Sequence, residues 1–144
     1  MNTIESNKEL CKKYPFLVLR TDYWTGRELS EDEIDYERTW FDDIPIGWAK
    51  AFGEKMCDEL LEILKKDDCV DDYHIVQIKE KFGCLRWYDD GVPESIWDEY
   101  RKWLRKYEEL SEKTCIICGE PATHMTRGWI LPVCQVHYDE IENR

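Results

Sequence analysis

The sequence contains no long hydrophobic run, and this absence excludes a membrane-spanning helix. No segment approaches the ~18 consecutive apolar residues that such a helix needs. The first apolar run, Phe16–Leu19, is too short for the core of a signal peptide and is followed by Arg20. We therefore expect a soluble, intracellular protein that does not act at a membrane.

Glycine and histidine are scarce, and the sequence offers little of what catalysis requires. The seven glycines are spread singly, so no phosphate-cradling loop is formed. No spacing pairs His74 with a serine or cysteine nucleophile. The four Asp-Asp pairs fall at the ends of predicted elements, where turns and helix caps account for them. We predict that the protein is not an enzyme.

Basic residues are in the minority, with 20 Lys and Arg against 32 Asp and Glu and a net charge of −12. A strongly negative surface repels phosphate backbones, which disfavours nucleic-acid binding over the whole molecule. It remains compatible with a local basic site or with docking onto a basic protein surface. With 42% hydrophobic residues in 144, the chain has material for a core and fits one domain, or one domain with a small appended module.

Hydrophobic periodicity predicts two long amphipathic helices, over about 45–66 and 94–112. Asp43 is placed to cap the first of them, with Pro45 in its first turn. A shorter helix is predicted over residues 3–13. Two β-rich runs within residues 73–91 predict a hairpin that turns at Phe82-Gly83. The hairpin residues predicted to face the core are Val76, Ile78, Leu85 and Trp87.

The order of these elements favours an α+β fold over an alternating parallel sheet. We predict two long helices packed on a β-hairpin or small antiparallel sheet, with Trp48 and Trp103 buried where the helices cover it. Residues 1–112 then form the α+β body. Residues 113–144 form a zinc-binding module packed on that body.

The seven cysteines divide into four scattered ones and a C-terminal cluster. A disulfide framework is not expected without a signal peptide, so the scattered cysteines are assigned as reduced. The cluster has the pattern C-x₂-C-G followed, after fifteen residues, by C-x₂-H. Two close pairs of thiolate and imidazole ligands can complete the tetrahedral shell of one structural Zn²⁺. The alternatives are a redox-active dithiol and a chance cluster. The predicted ligands are Cys115, Cys118, Cys134 and His137.

The surroundings of this cluster favour one arrangement of the module. Gly119 permits the left-handed turn that follows a zinc knuckle. Cys134 opens a polar run that is typical of a short terminal helix, and a hairpin through Met125–Leu131 would join the two ligand pairs. These features predict a treble-clef-like module, with a ribbon of two symmetrical knuckles as the alternative. His124, in the hairpin, is assigned to a surface or packing role.

Basic and aromatic residues concentrate in the predicted hairpin of this acidic protein. The guanidinium of Arg86 suits a phosphate or a carboxylate, and a neighbouring ring could stack on a base. Alternatively, Arg86 pairs with a local acid such as Asp89 or Glu80 and serves the fold. The candidates for binding a ligand or partner are Lys79, Lys81, Arg86, Tyr88 and, in the zinc hairpin, Arg127.

Nearly the whole chain resembles a group of small zinc-binding proteins of phages, prophages and other bacterial mobile elements. The resemblance is carried by IPIGWAKAFGEKMCDEL (44–60), QIKEKFGCLRWYDDG (77–91), YEELSEKTCIICGEPAT (107–123) and GWILPVCQVH (128–137). The group shares the pattern K-E-K-[FY]-G-x-L-R-[FW]-Y and a C-x-x-C-G-x-P knuckle. This sequence departs from it at His137, where cysteine is common and where zinc accepts either ligand.

The resemblance implies an accessory protein of a mobile element, acting in the cytoplasm of a bacterial host, and it carries over no catalytic residue. Two functions follow as expectations. The first is a non-enzymatic interaction protein that modulates or inhibits a host system, for example a defence system, by binding a host or phage protein. The alternative is a nucleotide- or nucleic-acid-binding module that uses the Lys79–Tyr88 hairpin and the zinc hairpin.

Overall fold

A computed structural model describes residues 3–22 and 24–143 and shows a mixed architecture of helices and two small antiparallel sheets, which confirms the mixed class. The α-helices are α1 (Ile4–Lys13), α2 (Ile46–Trp48), α3 (Glu54–Lys65), α4 (Trp97–Glu112) and α5 (Gln135–Glu142). The strands are β1 (His74–Lys81), β2 (Cys84–Asp90), β3 (His124–Met125) and β4 (Pro132–Val133). Strand β1 pairs with β2, and β3 pairs with β4. Within the described ranges, no helix is both long enough and apolar enough to cross a bilayer.

The helix predicted over 45–66 is present, but it is not a uniform α-helix. Helix α2 passes into a π-helical segment, Ala49–Gly53, which continues directly into α3. The buried face of this run follows the predicted periodicity through Trp48, Phe52, Met56, Leu60 and Leu64.

The predicted cap of this helix is wrong. The Asp43 carboxylate forms an ion pair with Arg38, and Pro45 occupies the N-cap position without a side-chain hydrogen bond. The first N–H groups of a helix have no partner within it. Here the Gly47 N–H donates to the carbonyl of Ile116, 2.8 Å away, so a distant part of the chain satisfies this donor.

Strands β1 and β2 form the predicted hairpin, and a β-bulge changes which residues face the core. The pairing register shifts between Ile75 and Gln77, and Val76 is the extra residue of the bulge. Because a bulge displaces the alternation by one position, Val76 is exposed and Ile75 is buried in its place. The other three predicted core residues, Ile78, Leu85 and Trp87, are buried as expected.

Helix α4 packs along β2 and supplies much of the core. The Trp103 ring meets the Trp87 ring edge-on, with centroids 5.6 Å apart, and its indole N–H donates to the Met56 carbonyl at 2.9 Å. The Oγ of Ser111 accepts the N–H of Leu85 at 2.9 Å, so the helix also satisfies an edge donor of β2. The predicted burial of Trp48 and Trp103 is confirmed.

We expect Trp103→Ala to lower the free energy of unfolding by about 3–5 kcal/mol, the usual range for removing a large buried ring. The change removes the contact with Trp87 and leaves the Met56 carbonyl without its donor. Denaturant unfolding followed by circular dichroism measures the loss. Trp24, which is 88% exposed, is the control, for which Trp24→Ala should cost below about 1 kcal/mol. A loss below about 1 kcal/mol at Trp103 would contradict this account of the core.

Candidate metal centre

The structure brings four predicted ligands together near the C-terminus. One donor atom from each of Cys115, Cys118, Cys134 and His137 lies within 4.8 Å of all the others. The Cys118 and Cys134 sulfurs are 3.8 Å apart, and the Cys115 sulfur lies 3.6 Å from His137 Nδ1. A tetrahedral ion with metal–sulfur bonds of about 2.3 Å and a metal–nitrogen bond of about 2.0–2.1 Å requires edges of about 3.8 and 3.6 Å. The Cys134 sulfur lies 3.2 Å from the same nitrogen, somewhat closer than such an edge, and the four donors together are compatible with one metal ion.

The first ligand pair is held by a tight turn. The Gly119 N–H donates to the Cys115 carbonyl at 3.0 Å, and Gly119 has a φ of +85°, which confirms the predicted left-handed turn. The Cys115 N–H donates in turn to the Glu120 carbonyl at 2.7 Å. This knuckle, residues 115–119, keeps Cys115 fully buried and leaves Cys118 partly exposed.

The second pair belongs to the predicted terminal helix. Cys134 is the N-cap residue of α5, and His137 lies in the first turn, so both donors project from the same end of the helix. Strands β3 and β4 connect the two pairs, and the Ile116 N–H donates to the Pro132 carbonyl at 2.9 Å. This bond fixes the knuckle against β4, immediately before Cys134.

The pKa values of the Cys115 and Cys118 thiols are shifted in opposite directions. Burial opposes ionisation of Cys115, but hydrogen bonds from the backbone N–H groups of Cys118, Cys134 and Ile117 outweigh it and lower the pKa to about 6. At Cys118 the backbone N–H of Glu120 favours the thiolate, yet desolvation and the neighbouring sulfurs prevail and raise the pKa. A bound cation offsets such repulsion, which is why clustered thiolates and metal binding go together.

The knuckle is seated directly on the start of the helical run. A Cβ placed on Gly47 would lie 2.2 Å from the Cys115 carbonyl oxygen, and one placed on Gly119 would lie 2.8 Å from the Gly47 carbonyl oxygen. The Trp48 indole N–H donates to the Thr114 carbonyl at 3.0 Å, just before the knuckle. Only glycine permits this closeness at position 47.

His124 lies outside the cluster. Its ring stacks on Tyr138 of α5 with centroids 4.3 Å apart, and its Nδ1 lies 2.7 Å from the Thr123 hydroxyl. This is the packing role assigned to it from the sequence.

The hairpin brings together three of the predicted ligand-binding residues, Lys79, Arg86 and Tyr88, and an acid of α4 lies beside one of them. Arg86 is partly buried and lies 3.8 Å from the Glu108 carboxylate of α4, whereas the sequence suggested Asp89 or Glu80 as its partner. Lys79 is opposite Arg86 in the pairing, and its ammonium lies 5.8 Å from the centre of the half-exposed Tyr88 ring. Both of the suggested partners are engaged elsewhere.

Asp89 accepts hydrogen bonds from the hydroxyls of Tyr73 and Tyr100. Burial raises the pKa of Asp89, and the two tyrosine hydroxyls partly counter that shift. The Tyr73 hydroxyl in turn accepts the Trp87 indole N–H at 2.7 Å. This network serves the packing of α4 on the hairpin.

The remaining two candidates, Lys81 and Arg127, are exposed. Lys81 precedes the β1–β2 turn and Arg127 lies in the loop between β3 and β4, and the structure brings this turn and this loop together. A Cβ on Gly83, in the β1–β2 turn, would lie 2.8 Å from the Met125 side chain and 3.2 Å from the Ile130 carbonyl oxygen. This meeting point was not predicted from the sequence. Its local signal is a phenylalanine in a two-residue turn and a Trp-Ile pair in a loop, both unusual places for large apolar side chains.

Comparison of the chain with known protein families, with curated proteins and with solved structures gives no match. The interpretation of the metal centre therefore depends on donor chemistry and geometry alone.

We expect Gly47→Ala to weaken metal binding about tenfold, a typical effect of disturbing the residues that support a metal site. The added methyl would lie 2.2 Å from the Cys115 carbonyl oxygen and must displace the knuckle. Competition with a chromophoric chelator measures the affinity. Gly128→Ala is the control for backbone strain alone, because Gly128 has a φ of +71° but no atom lies within 4 Å of its added Cβ. An unchanged metal affinity in Gly47→Ala would show that the knuckle does not depend on this contact.

Proposed function

We propose that Cys115, Cys118, Cys134 and His137 hold one structural Zn²⁺. Three thiolates and an imidazole are the donors that zinc prefers over the harder cations, and the edge distances support a tetrahedral ion. Four protein ligands complete the shell and leave no position for a reacting water, which is typical of structural sites. The knuckle, the β3–β4 hairpin and α5 together form a treble-clef-like module within residues 113–144.

The protein as a whole, in this proposal, is a non-enzymatic interaction protein. It originates from a phage or another mobile element and acts in the cytoplasm of a bacterial host, where it modulates or inhibits a host system such as a defence system by binding a host or phage protein. The sequence resemblance supports the origin. The observation that carries the interaction role is the exposure of two large rings, Phe82 (70%) and Trp129 (74%). Phe82 lies in the β1–β2 turn and Trp129 in the β3–β4 loop, which meet at Gly83. Large apolar side chains that are left in solvent at one place are typical of protein-binding surfaces.

A nucleotide- or nucleic-acid-binding role is the second candidate. Exposed Lys81 and Arg127 flank the same two aromatic residues, and cations beside exposed rings are typical of single-strand binding. The net charge of −12 and the engagement of Arg86 with Glu108 favour the first candidate, because both reduce the attraction for phosphates.

For the metal, we expect about one zinc per chain by elemental analysis of protein prepared without chelator. Cys118→Ser should lose the metal and increase hydrogen exchange in residues 113–144 more than in α4, because α4 has its own buried face. Cys69→Ser, outside the cluster, should retain zinc. Protein that contains no zinc under these conditions would refute the structural site.

The two candidate functions are separated by a binding experiment with the full chain. Immobilised protein should capture a protein from nuclease-treated host lysate, whereas oligonucleotides and cyclic dinucleotides at low salt should show no saturable micromolar binding. Arg86→Ala should lower the melting temperature by about 2–4 °C, through loss of a partly buried ion pair, and leave the capture unchanged. Saturable oligonucleotide binding that is lost in Arg86→Ala would establish the second candidate instead.

A further inference from the structure

A cavity of about 450 Å³ opens between helix α1 and the π-helical segment Ala49–Gly53. Leu10 of α1 and the rings of Phe41 and Phe52 supply much of its apolar lining. Its volume lies within the range of sites that hold small molecules, about 300–1,000 Å³. A single π-helical turn within a helix is rare and frequently marks a functional site. The cavity lies apart from the candidate metal centre, because none of the four ligands lines it.

Asn7, on α1, lines this cavity although it is only 3% exposed. Its Nδ2 amide group donates to the carbonyls of Tyr36 and Glu37, at 2.8 and 3.4 Å. Its Oδ1 accepts no hydrogen bond from any residue in the ranges 3–22 and 24–143. Every side-chain nitrogen or oxygen of these ranges that is closed off completely has a hydrogen-bond partner, so the Oδ1 of Asn7 must be open to the outside. The cavity that Asn7 lines provides this opening.

The orientation of the Asn7 amide is fixed by the two carbonyls that it binds. Turning the amide over would place its Oδ1 against two carbonyl oxygens, none of which can donate a hydrogen. The cavity therefore presents a hydrogen-bond acceptor at a buried position. A ligand that donates an N–H satisfies this acceptor, whereas a ligand of the same shape without a donor leaves it unpaired. A site of this kind discriminates between the two ligands.

The two aromatic rings that line the cavity are held in place by close packing. A Cβ on Gly53 would lie 2.8 Å from the Phe41 ring, so this ring rests directly on the backbone of the π-helical segment. The buried Phe52 ring packs on Tyr107 of α4, with centroids 5.5 Å apart. Aromatic side chains favour a second ring in an offset or edge-on contact. The lining therefore favours an aromatic ligand over a purely polar one.

The charges at the rim of the cavity do not select a charged ligand. Lys50, Glu54 and Lys55 all line the cavity with exposed side chains, so charges of both signs lie there. Salt and water screen exposed charges of this kind. The class of ligand is thus set by the Asn7 acceptor and the aromatic lining.

We propose that this cavity binds a small neutral aromatic heterocycle, which donates its ring N–H to the Oδ1 of Asn7. Free indoles and free nucleobases share this chemistry. The inference goes beyond the proposed function and does not depend on it, because it requires neither the metal nor a protein partner. A ligand in the cavity contacts both α1 and the helical run, so it should raise the melting temperature by mass action.

The test titrates the full-length, metal-loaded chain with two probes of one shape, indole and benzofuran, in which an oxygen replaces the N–H. Indole should bind saturably, and benzofuran should bind at least about fivefold more weakly, because it leaves the acceptor unpaired. In NMR spectra of the amide groups, indole should shift the signals of Asn7 and of residues 49–53 and leave those of residues 115–119 unchanged. Adenine, titrated separately, distinguishes a nucleobase site from an indole site.

Variants separate the cavity from the fold. Ala49→Leu fills the cavity from the π-helical segment without removing a side-chain hydrogen bond, and it should abolish the binding of indole. Ala122→Leu, at a partly buried alanine outside the cavity, is the matched control and should bind indole as wild type does. Asn7→Leu should lower the melting temperature, because the Tyr36 carbonyl loses its donor, and should bind indole and benzofuran equally.

Three results would overturn the inference. They are equal affinities of wild type for indole and benzofuran, binding that persists in Ala49→Leu, and the absence of saturable binding by both indole and adenine. An indole ring that binds only as tryptophan within a peptide would also overturn it and assign the cavity to a protein side chain. Each of these results leaves the zinc content and the capture of a host protein unaffected, so the proposed function is tested separately.

Discussion

The hydrogen bond from the Gly47 N–H to the Ile116 carbonyl joins the knuckle of the candidate metal centre to the longest helical run of the body. It satisfies a donor that every helix start leaves without a partner, and no side chain of the neighbouring sequence does so. Ile116 lies between Cys115 and Cys118, so this carbonyl belongs to the same turn as the first pair of donors. The order of the metal centre and the order of the helix start are therefore coupled, and the contact requires glycine at position 47.

A second link between the module and the body runs through Glu80. Its carboxylate binds the β1–β2 turn and the Trp129 indole, so the module meets the body both at a helix start and at a hairpin turn. Two separate contacts resist rotation of one part against the other, which a single contact does not. The exposed rings consequently have a defined spacing, although they belong to segments almost fifty residues apart.

Local patterns were sufficient to predict the helices, the hairpin turn and the four clustered donors. Each of these follows from spacing within one short segment, such as the two C-x₂ ligand pairs or the apolar face that continues from Trp48 to Leu64. The failures at Asp43 and Arg86 involve partners distant in sequence, whereas the one at Val76 arises within the hairpin. Asp43 did not cap the helix because a carbonyl some seventy residues away took that role, Arg86 turned to Glu108 on α4, and the bulge at Val76 reversed one position of the strand pattern. The meeting of the β1–β2 turn with the loop that carries Trp129 was also missed, since the two segments are far apart in sequence.

The π-helical segment Ala49–Gly53 restricts the number of residues that this part of the chain can contain. A π-helical turn accommodates an additional residue, and each residue of an α-helix advances the helix by about 100°. The segment thus sets the angle between the start of the run, which contacts the knuckle, and α3, which contacts the core. Deleting one residue there would restore a regular α-helix but rotate one of these faces away from its partner. Homologous chains that keep both contacts should tolerate substitutions in this segment far better than a change in its number of residues.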